Sequence, residues 1–499
     1  MPVSIFRLLA ALVCASVIGV SSPAVADAQT DALATRWSAA LEKLRGGECD
    51  GKTWLAVSED TSFPKLSSEQ RAITYINMGA CIGGSRRHEW RVLASKEPDA
   101  PPMVWGLLFL EAVDRHDTPD ALKNLEADLA AARRTGQAFD VVNDDGVYFL
   151  NGRLRTDPAA KMRLLSVLDA AEWKPSDPSQ DLSPIWLELS LMLLEQGKTG
   201  EAARVAKKVT AAESLLGMRL DNRFASLLKD DPQAFDVEYA AFADLRRLER
   251  VHETAENNDN SAYLIIDALR VLGRLDEALE FADRVLKKEK ILDENGRDYR
   301  NWIEDRRAYV LLQLGRFDEA VTTEQTAATR PERGGANVSQ VINLAEMLID
   351  QGRFQQALAV LDKMDKDAGT SAVGKAYIEQ DRVCIFNGLG DAAQQDKALA
   401  YTAAHVGDNR TARLHALLCA NDSAAASRLM VDWLEDPLAR ERALIQLCTA
   451  PSRPLGSYQA VLSQRFDQVR KDPAVVAAVA KVGRTEALKA IGAVWPDFP

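Results

Sequence analysis

The sequence predicts an all-α protein made of antiparallel helix pairs stacked into a solenoid. Three observations predict it. A glycine followed five residues later by an alanine recurs at Gly197 and Ala202, Gly273 and Ala278, Gly315 and Ala320, and Gly352 and Ala357. Behind three of these glycines, Gly197, Gly273 and Gly352, apolar or small residues stand four, seven, eight and eleven positions back, as in Leu193, Ser190, Leu189 and Trp186, or Leu348, Ala345, Leu344 and Val341. That spacing lays four side chains on one helical stripe. Alanine and leucine are also abundant and β-branched runs few, which favours helix over strand.

Each unit therefore reads as helix, tight turn, helix. Glycine adopts the left-handed backbone that ends a helix, and alanine lets the next helix approach closely. One unit cannot bury its stripe alone, whereas stacked units can.

The stretch "WLELSLMLLEQGKTGEAARV" resembles the tetratricopeptide repeat (TPR), with Trp186, Leu189, Leu193, Gly197 and Ala202 on the family's positions. "LGRLDEALEF" and "LGRFDEAV" look like its second-helix start. The resemblance runs from about Trp186 to Met364. It departs in the small residue of one first helix, which is Ile266, and in glycine spacings longer than the family's. It implies a TPR-like α-solenoid whose first helices line a groove that holds an extended peptide. Positions counted back from the turn glycines by that pattern are Tyr263, Asp267, Arg270, Trp302, Asp305, Tyr309 and Glu346. Trp302 and Tyr309 have a second reading, as packing between repeats.

The remaining elements follow in chain order. Residues 1–26 have one basic residue, Arg7, an apolar core from Leu8 to Val20, and the small-residue pattern Ala24-Val25-Ala26. This reads as a secretory signal peptide cut before Asp27, and its core is too short to span a bilayer. Val13 before Cys14 argues against lipidation. Residues 27–140 read as N-terminal helical hairpins. They include a capping box at Ser67 and Gln70, a helix ending near Gly83-Gly84, and a pair turning at His116-Asp117. Residues 141–180 read as an irregular connection, because "AFDVVNDDGVYFLNGRL" is rich in turn formers. Residues 181–365 carry the TPR-like repeats. Residues 366–499 read as degenerate repeats and a C-terminal cap, with turns expected at Gly388 and Asn421.

Composition narrows function. Without the signal peptide, 60 basic face 73 acidic residues, a net charge near −13. That field repels phosphate backbones, so nucleic acid is not an expected partner. The run Arg246-Arg247-Leu248-Glu249-Arg250 reads as a solvated helix face. No later stretch is apolar enough to insert into a membrane, so the mature chain is expected to be soluble, periplasmic or secreted. Five mature cysteines would then meet an oxidising compartment. Cys49 and Cys81 are the natural pair. Among Cys384, Cys419 and Cys448, either two pair or all three are small buried residues.

Catalytic motifs are missing. There is no G-x-S-x-G elbow, and His88-Glu89-Trp90 lacks the second histidine of H-E-x-x-H. The five histidines read as surface or capping residues, not metal ligands. "NDDGVYFLNG" and "LDENGRDYRNW" fail the calcium-loop ligand positions and read as turns. Glu213-Ser214 mimics the catalytic start of soluble lytic transglycosylases but lacks the sequence that follows it there. The chain is therefore expected to be a non-enzymatic, cofactor-free envelope scaffold that binds a protein or peptide. The alternatives are a structural subunit of an envelope complex or a helical enzyme without a recognisable motif.

Overall fold

The computed structural model describes residues 28–137, 144–175, 177–230, 232–254, 259–293, 296–332, 335–364 and 370–488. The expected signal peptide lies outside them. The described elements are 26 α-helices with a few short 3-10 turns, arranged as consecutive antiparallel pairs. They fall into two compact units, 1–176 and 177–499.

The first unit holds α1 (Ala28–Arg45), α2 (Gly51–Ser58), α3 (Ser68–Cys81), α4 (Arg87–Ser95), α5 (Pro102–Asp114), α6 (Thr118–Thr135), α7 (Asp144–Arg153) and α8 (Pro158–Ala170). The Ser67–Gln70 capping box starts α3. Asp117 and Asp157 accept from the third backbone N–H of α6 and α8, satisfying donors that a helix start leaves open. Trp37 meets Trp54 edge-on at 6.5 Å, and its indole donates to Thr74 Oγ1 at 3.1 Å. Cys49 and Cys81 form a disulfide with Cα atoms 5.1 Å apart, tying the loop after α1 to the end of α3.

Two helices occupy the stretch expected to be an irregular connection. "NDDGVYFLNG", read as a turn, is helical from Asp144 onward. Its Asn, Asp and Gly content suggested a turn, but Val147, Leu150 and Leu154 recur at helical spacing and are all buried. Burial of that stripe outweighs the local turn preference.

The second unit begins with α9 (Ser183–Glu195), α10 (Thr199–Ala206), α11 (Ala212–Leu220), α12 (Ala225–Asp230) and α13 (Val237–Thr254). Then come α14 (Asn260–Val271), α15 (Leu275–Leu286), α16 (Arg300–Gln313), α17 (Phe317–Ala328), α18 (Ser339–Asp350) and α19 (Phe354–Asp362). It ends with α20 (Ala372–Leu389), α21 (Ala392–Ala404), α22 (Arg410–Cys419), α23 (Ser423–Glu435), α24 (Arg440–Leu447), α25 (Ser457–Lys471) and α26 (Pro473–Val482).

One turn geometry recurs through it. Gly197, Gly273, Gly315 and Gly352 all have φ between 68° and 75°. At each, the next residue's N–H reaches the carbonyl four residues before the glycine, as in Lys198 to Leu193 at 2.9 Å and Arg316 to Leu311 at 2.8 Å. This is the Schellman motif. After three of these glycines an arginine turns onto the following helix, Arg274 to Glu277, Arg316 to Glu319 and Arg353 to Gln356. Ala202, Ala278, Ala320 and Ala357 have no exposed surface, so the second helices sit hard against the first.

Asn421 makes the same turn at φ 60°. Gly388 does not. It lies inside α20, where any β-carbon would collide with the Phe354 ring, and Gly390 ends the helix at φ 74°. Cys384 and Cys419 form a second disulfide, Cα atoms 4.8 Å apart, between α20 and α22, and Cys448 is a buried free thiol.

The array in the second unit closes on itself. Helix α24 packs against α11. Gly483 bridges Asp221, and the Arg484 N–H donates to the Leu220 carbonyl at 3.0 Å. The segment before α25 and the first residue of that helix cross two turns, with Pro454 against Gly315 and Ser457 Oγ donating to the Gln351 carbonyl at 2.9 Å.

Candidate functional site

The residues counted from the turn pattern lie on three successive first helices. Tyr263, Asp267 and Arg270 are on α14, Trp302, Asp305 and Tyr309 on α16, and Glu346 on α18. The fold gathers most of them around a residue that the count skipped, Arg306.

The Arg306 guanidinium lies over the Tyr263 ring at 4.3 Å and the Tyr309 ring at 5.5 Å, and donates to the Tyr263 hydroxyl. Its Nε is 2.9 Å from Asp267 Oδ2 and its Nη1 2.9 Å from Asp305 Oδ2. Arg270 covers Tyr309 at 5.2 Å, reaches Asp267 at 2.7 Å and donates to Gln313 Oε1 at 3.0 Å. Trp302 stacks on Tyr299 at 6.2 Å and meets Tyr263 edge-on at 6.0 Å. Burial pushes the Tyr263 phenol up to about 12.

These contacts place the residues differently from an open groove. Asp305 has no exposed surface, and Arg270 and Arg306 are each 6% exposed. Asn343 Nδ2 donates to Asp305 Oδ1 at 2.7 Å. Burial, and then the Asp305 carboxylate, push Glu324 well above the usual carboxylate range, and burial also raises Asp305 against the opposing pull of Arg306. Burial, followed by Glu346 and Asp350, does the same to Asp381. Charges packed between neighbouring helices persist only where other groups satisfy them.

Asp267 and Arg270 also reach a cavity of about 380 Å³, which is the accessible end of this network. Its other charged lining is Asp181, Glu213, Asp244 and Arg247, with Ser179 and Gln180 beside them and apolar walls from Leu248, Leu264 and Val271. The walls are braced. Asp181 accepts from Ser183 N at 2.9 Å, and Ser183 Oγ accepts from Thr210 N and Ala211 N at 2.9 Å each, joining α9 to the start of α11. Arg247 pairs with Asp244 at 2.6 Å and donates to the Pro178 carbonyl at 2.6 Å. Arg247 is thus a wall of the cavity, although its run read as a solvated face. Glu213 stands in the first turn of α11, a favourable end for negative charge. Burial pushes its carboxyl up, Arg442 opposes that, and Asp181 adds to it.

The sequence signals for this cavity were weak. Asp181, Glu213 and Asp244 belong to no motif and come together from three parts of the chain. Only the spacing of Asp267 and Arg270 from Gly273 pointed there. His415 departs from the surface reading too, being buried, which pushes it down to about 4.

A family model for the tetratricopeptide repeat matches residues 306–323 and 341–363. Those two stretches are similar to the tetratricopeptide repeat. The two matched stretches span the Gly315 and Gly352 turns, and both belong to the array that carries Arg306 and Glu346. Among solved structures, the chain is similar to the crystal structure of yeast Tom70 at 13% identity, over 91% of this chain and 100% of that one, with a TM-score of 0.30. It is also similar to Naa15/Naa10 bound to HypK-THB at 12% identity, over 90% of this chain and 79% of that one, with a TM-score of 0.23. No curated protein sequence matches it. Among the described residues no helix is long and apolar enough to cross a membrane, and no group of three His, Cys, Asp or Glu side chains is placed to hold a metal ion.

Proposed function

We propose that this chain is an exported scaffold of the cell envelope whose TPR array holds a segment of a protein or peptide partner at the cavity between α9, α11, α13 and α14. The observation that carries this reading is the braced cavity itself, with polar groups set in an apolar wall at one end of a repeat array. Of the seven residues first counted, Asp267 and Arg270 contact the partner. Tyr263, Trp302, Asp305, Tyr309 and Glu346 stiffen the wall behind them. Export is supported by the apolar leader of residues 1–26 and by two disulfides, which persist in oxidising compartments.

The test is affinity capture from envelope extract with the mature chain, its Ala268→Phe variant, which fills the cavity, and an Asp318→Ala control at an exposed site. Capture by wild type and control, lost in Ala268→Phe at unchanged melting temperature, is the expected result. Equal capture by all three would remove the cavity from the binding reading. N-terminal sequencing of the envelope-fraction protein should begin at Asp27, and a chain retaining residues 1–26 would overturn export.

A further inference from the structure

We infer that the cavity recognises a basic side chain of the partner segment, an ammonium or guanidinium on an aliphatic stem, with Glu213 as its counter-ion. This rests on the scaffold reading above and specifies its ligand.

The lining has four carboxylates, Asp181, Glu213, Asp244 and Asp267, against two guanidiniums, Arg247 and Arg270. Both cations are already engaged. Arg247 holds Asp244 and the Pro178 carbonyl, and Arg270 holds Asp267 and Gln313. Asp267 is held a second time by Arg306. Asp181 accepts from Ser183 N and Oγ.

Glu213 is different. It is partly buried at the cavity wall, and among the described residues its carboxylate makes no hydrogen bond or ion pair, Arg442 acting on it only from a distance. A carboxylate in that position lacks the solvation it has in water and gains strongly from an arriving cation.

The cation has an organic form. No three side chains of the metal-ligating types converge among the described residues. The apolar lining beside Glu213 includes Leu248, Leu264 and Val271, which suit the methylene stem of a lysine or arginine. A cavity of about 380 Å³ is near the low end of small-ligand sites, about 300–1,000 Å³, so it takes one or two side chains and not a helix.

The experiment is calorimetric titration of the mature chain with acetyl-Ala-Lys-Ala-amide, its norleucine analogue and 1,5-diaminopentane. The lysine peptide should bind at least tenfold more tightly than the norleucine peptide, and more weakly as salt rises. Glu213→Gln should reduce lysine-peptide affinity at least tenfold without lowering the melting temperature, while Glu201→Gln, an exposed control on α10, should leave it unchanged. Equal binding of the lysine and norleucine peptides would overturn the inference, as would undiminished binding by Glu213→Gln. Diaminopentane binding as tightly as the peptide would overturn the assignment to a partner segment. Capture of one partner by both wild type and Glu213→Gln would sink the inference and leave the scaffold reading standing. Lysine-selective binding without any captured partner would do the reverse.

Discussion

A β-carbon on Gly315 would stand 3.0 Å from Cβ of Pro454, so the loop before α25 rests directly on the turn between α16 and α17. Gly197 has nearly the same backbone, φ 72° against 75°, but a β-carbon there meets nothing within 4 Å. The two glycines thus separate backbone strain from crowding. Gly197→Ala should cost about 1–2 kcal/mol for the left-handed conformation alone. Gly315→Ala should cost about 1 kcal/mol more, because Pro454 must move. Urea denaturation of both variants measures the difference, and equal losses would mean that the loop does not bear on the turn.

Arg306 is the cation around which Tyr263, Tyr309, Asp267 and Asp305 are arranged. Arg306→Ala should destabilise by about 3–5 kcal/mol, since it leaves buried carboxylates without their partner. Arg306→Lys should recover only part of this, because an ammonium cannot pair and stack in several directions as a guanidinium does. A lysine variant that melts with wild type would show that charge alone suffices.

Glu441 gives a pH signature. Its Oε2 is buried without a hydrogen-bond donor where α24 meets Gly217 of α11, and burial pushes the carboxyl up to about 7. The folded state therefore binds more protons than the unfolded chain from pH 4.5 to 7, and stability falls as pH rises through that window. Glu441→Gln should raise the melting temperature at pH 8 and change it little at pH 4.5. The full effect is on the order of 3 kcal/mol at about 1.4 kcal/mol per pKa unit. A gain independent of pH would rule out this carboxyl as the cause.

The cysteines predict a labelling pattern. Without reductant, mass spectrometry should find peptides joining Cys49 to Cys81 and Cys384 to Cys419. Cys448, buried, should alkylate only after unfolding. Cys81→Ala should cost about 3–4 kcal/mol in the loop-entropy picture, through the 32-residue separation it no longer closes. Rapid alkylation of Cys448 in the native protein would contradict its burial.

The sequence alone determined the local architecture of this protein. Turn glycines, buried alanines and helical stripes depend on backbone conformation and on neighbours three to eleven residues away, so they are written within each repeat. Gly197, Gly273, Gly315 and Gly352 could be read for that reason. Even there, competition between local signals hid two features: the helix at Asp144–Arg153, and Gly390 in place of Gly388 as the αL residue ending α20. Only the tertiary structure decided the site. Side-by-side packing of α14, α16, α17 and α18 buries Asp305 and Arg270 in a charge network around Arg306, and α24 closes onto α11. The same closure brought Arg442 near Glu213, while α9, α13 and α14 completed the cavity wall. Burial and charge pairing depend on which distant segments meet, and that information is not carried by the spacing of residues along one helix.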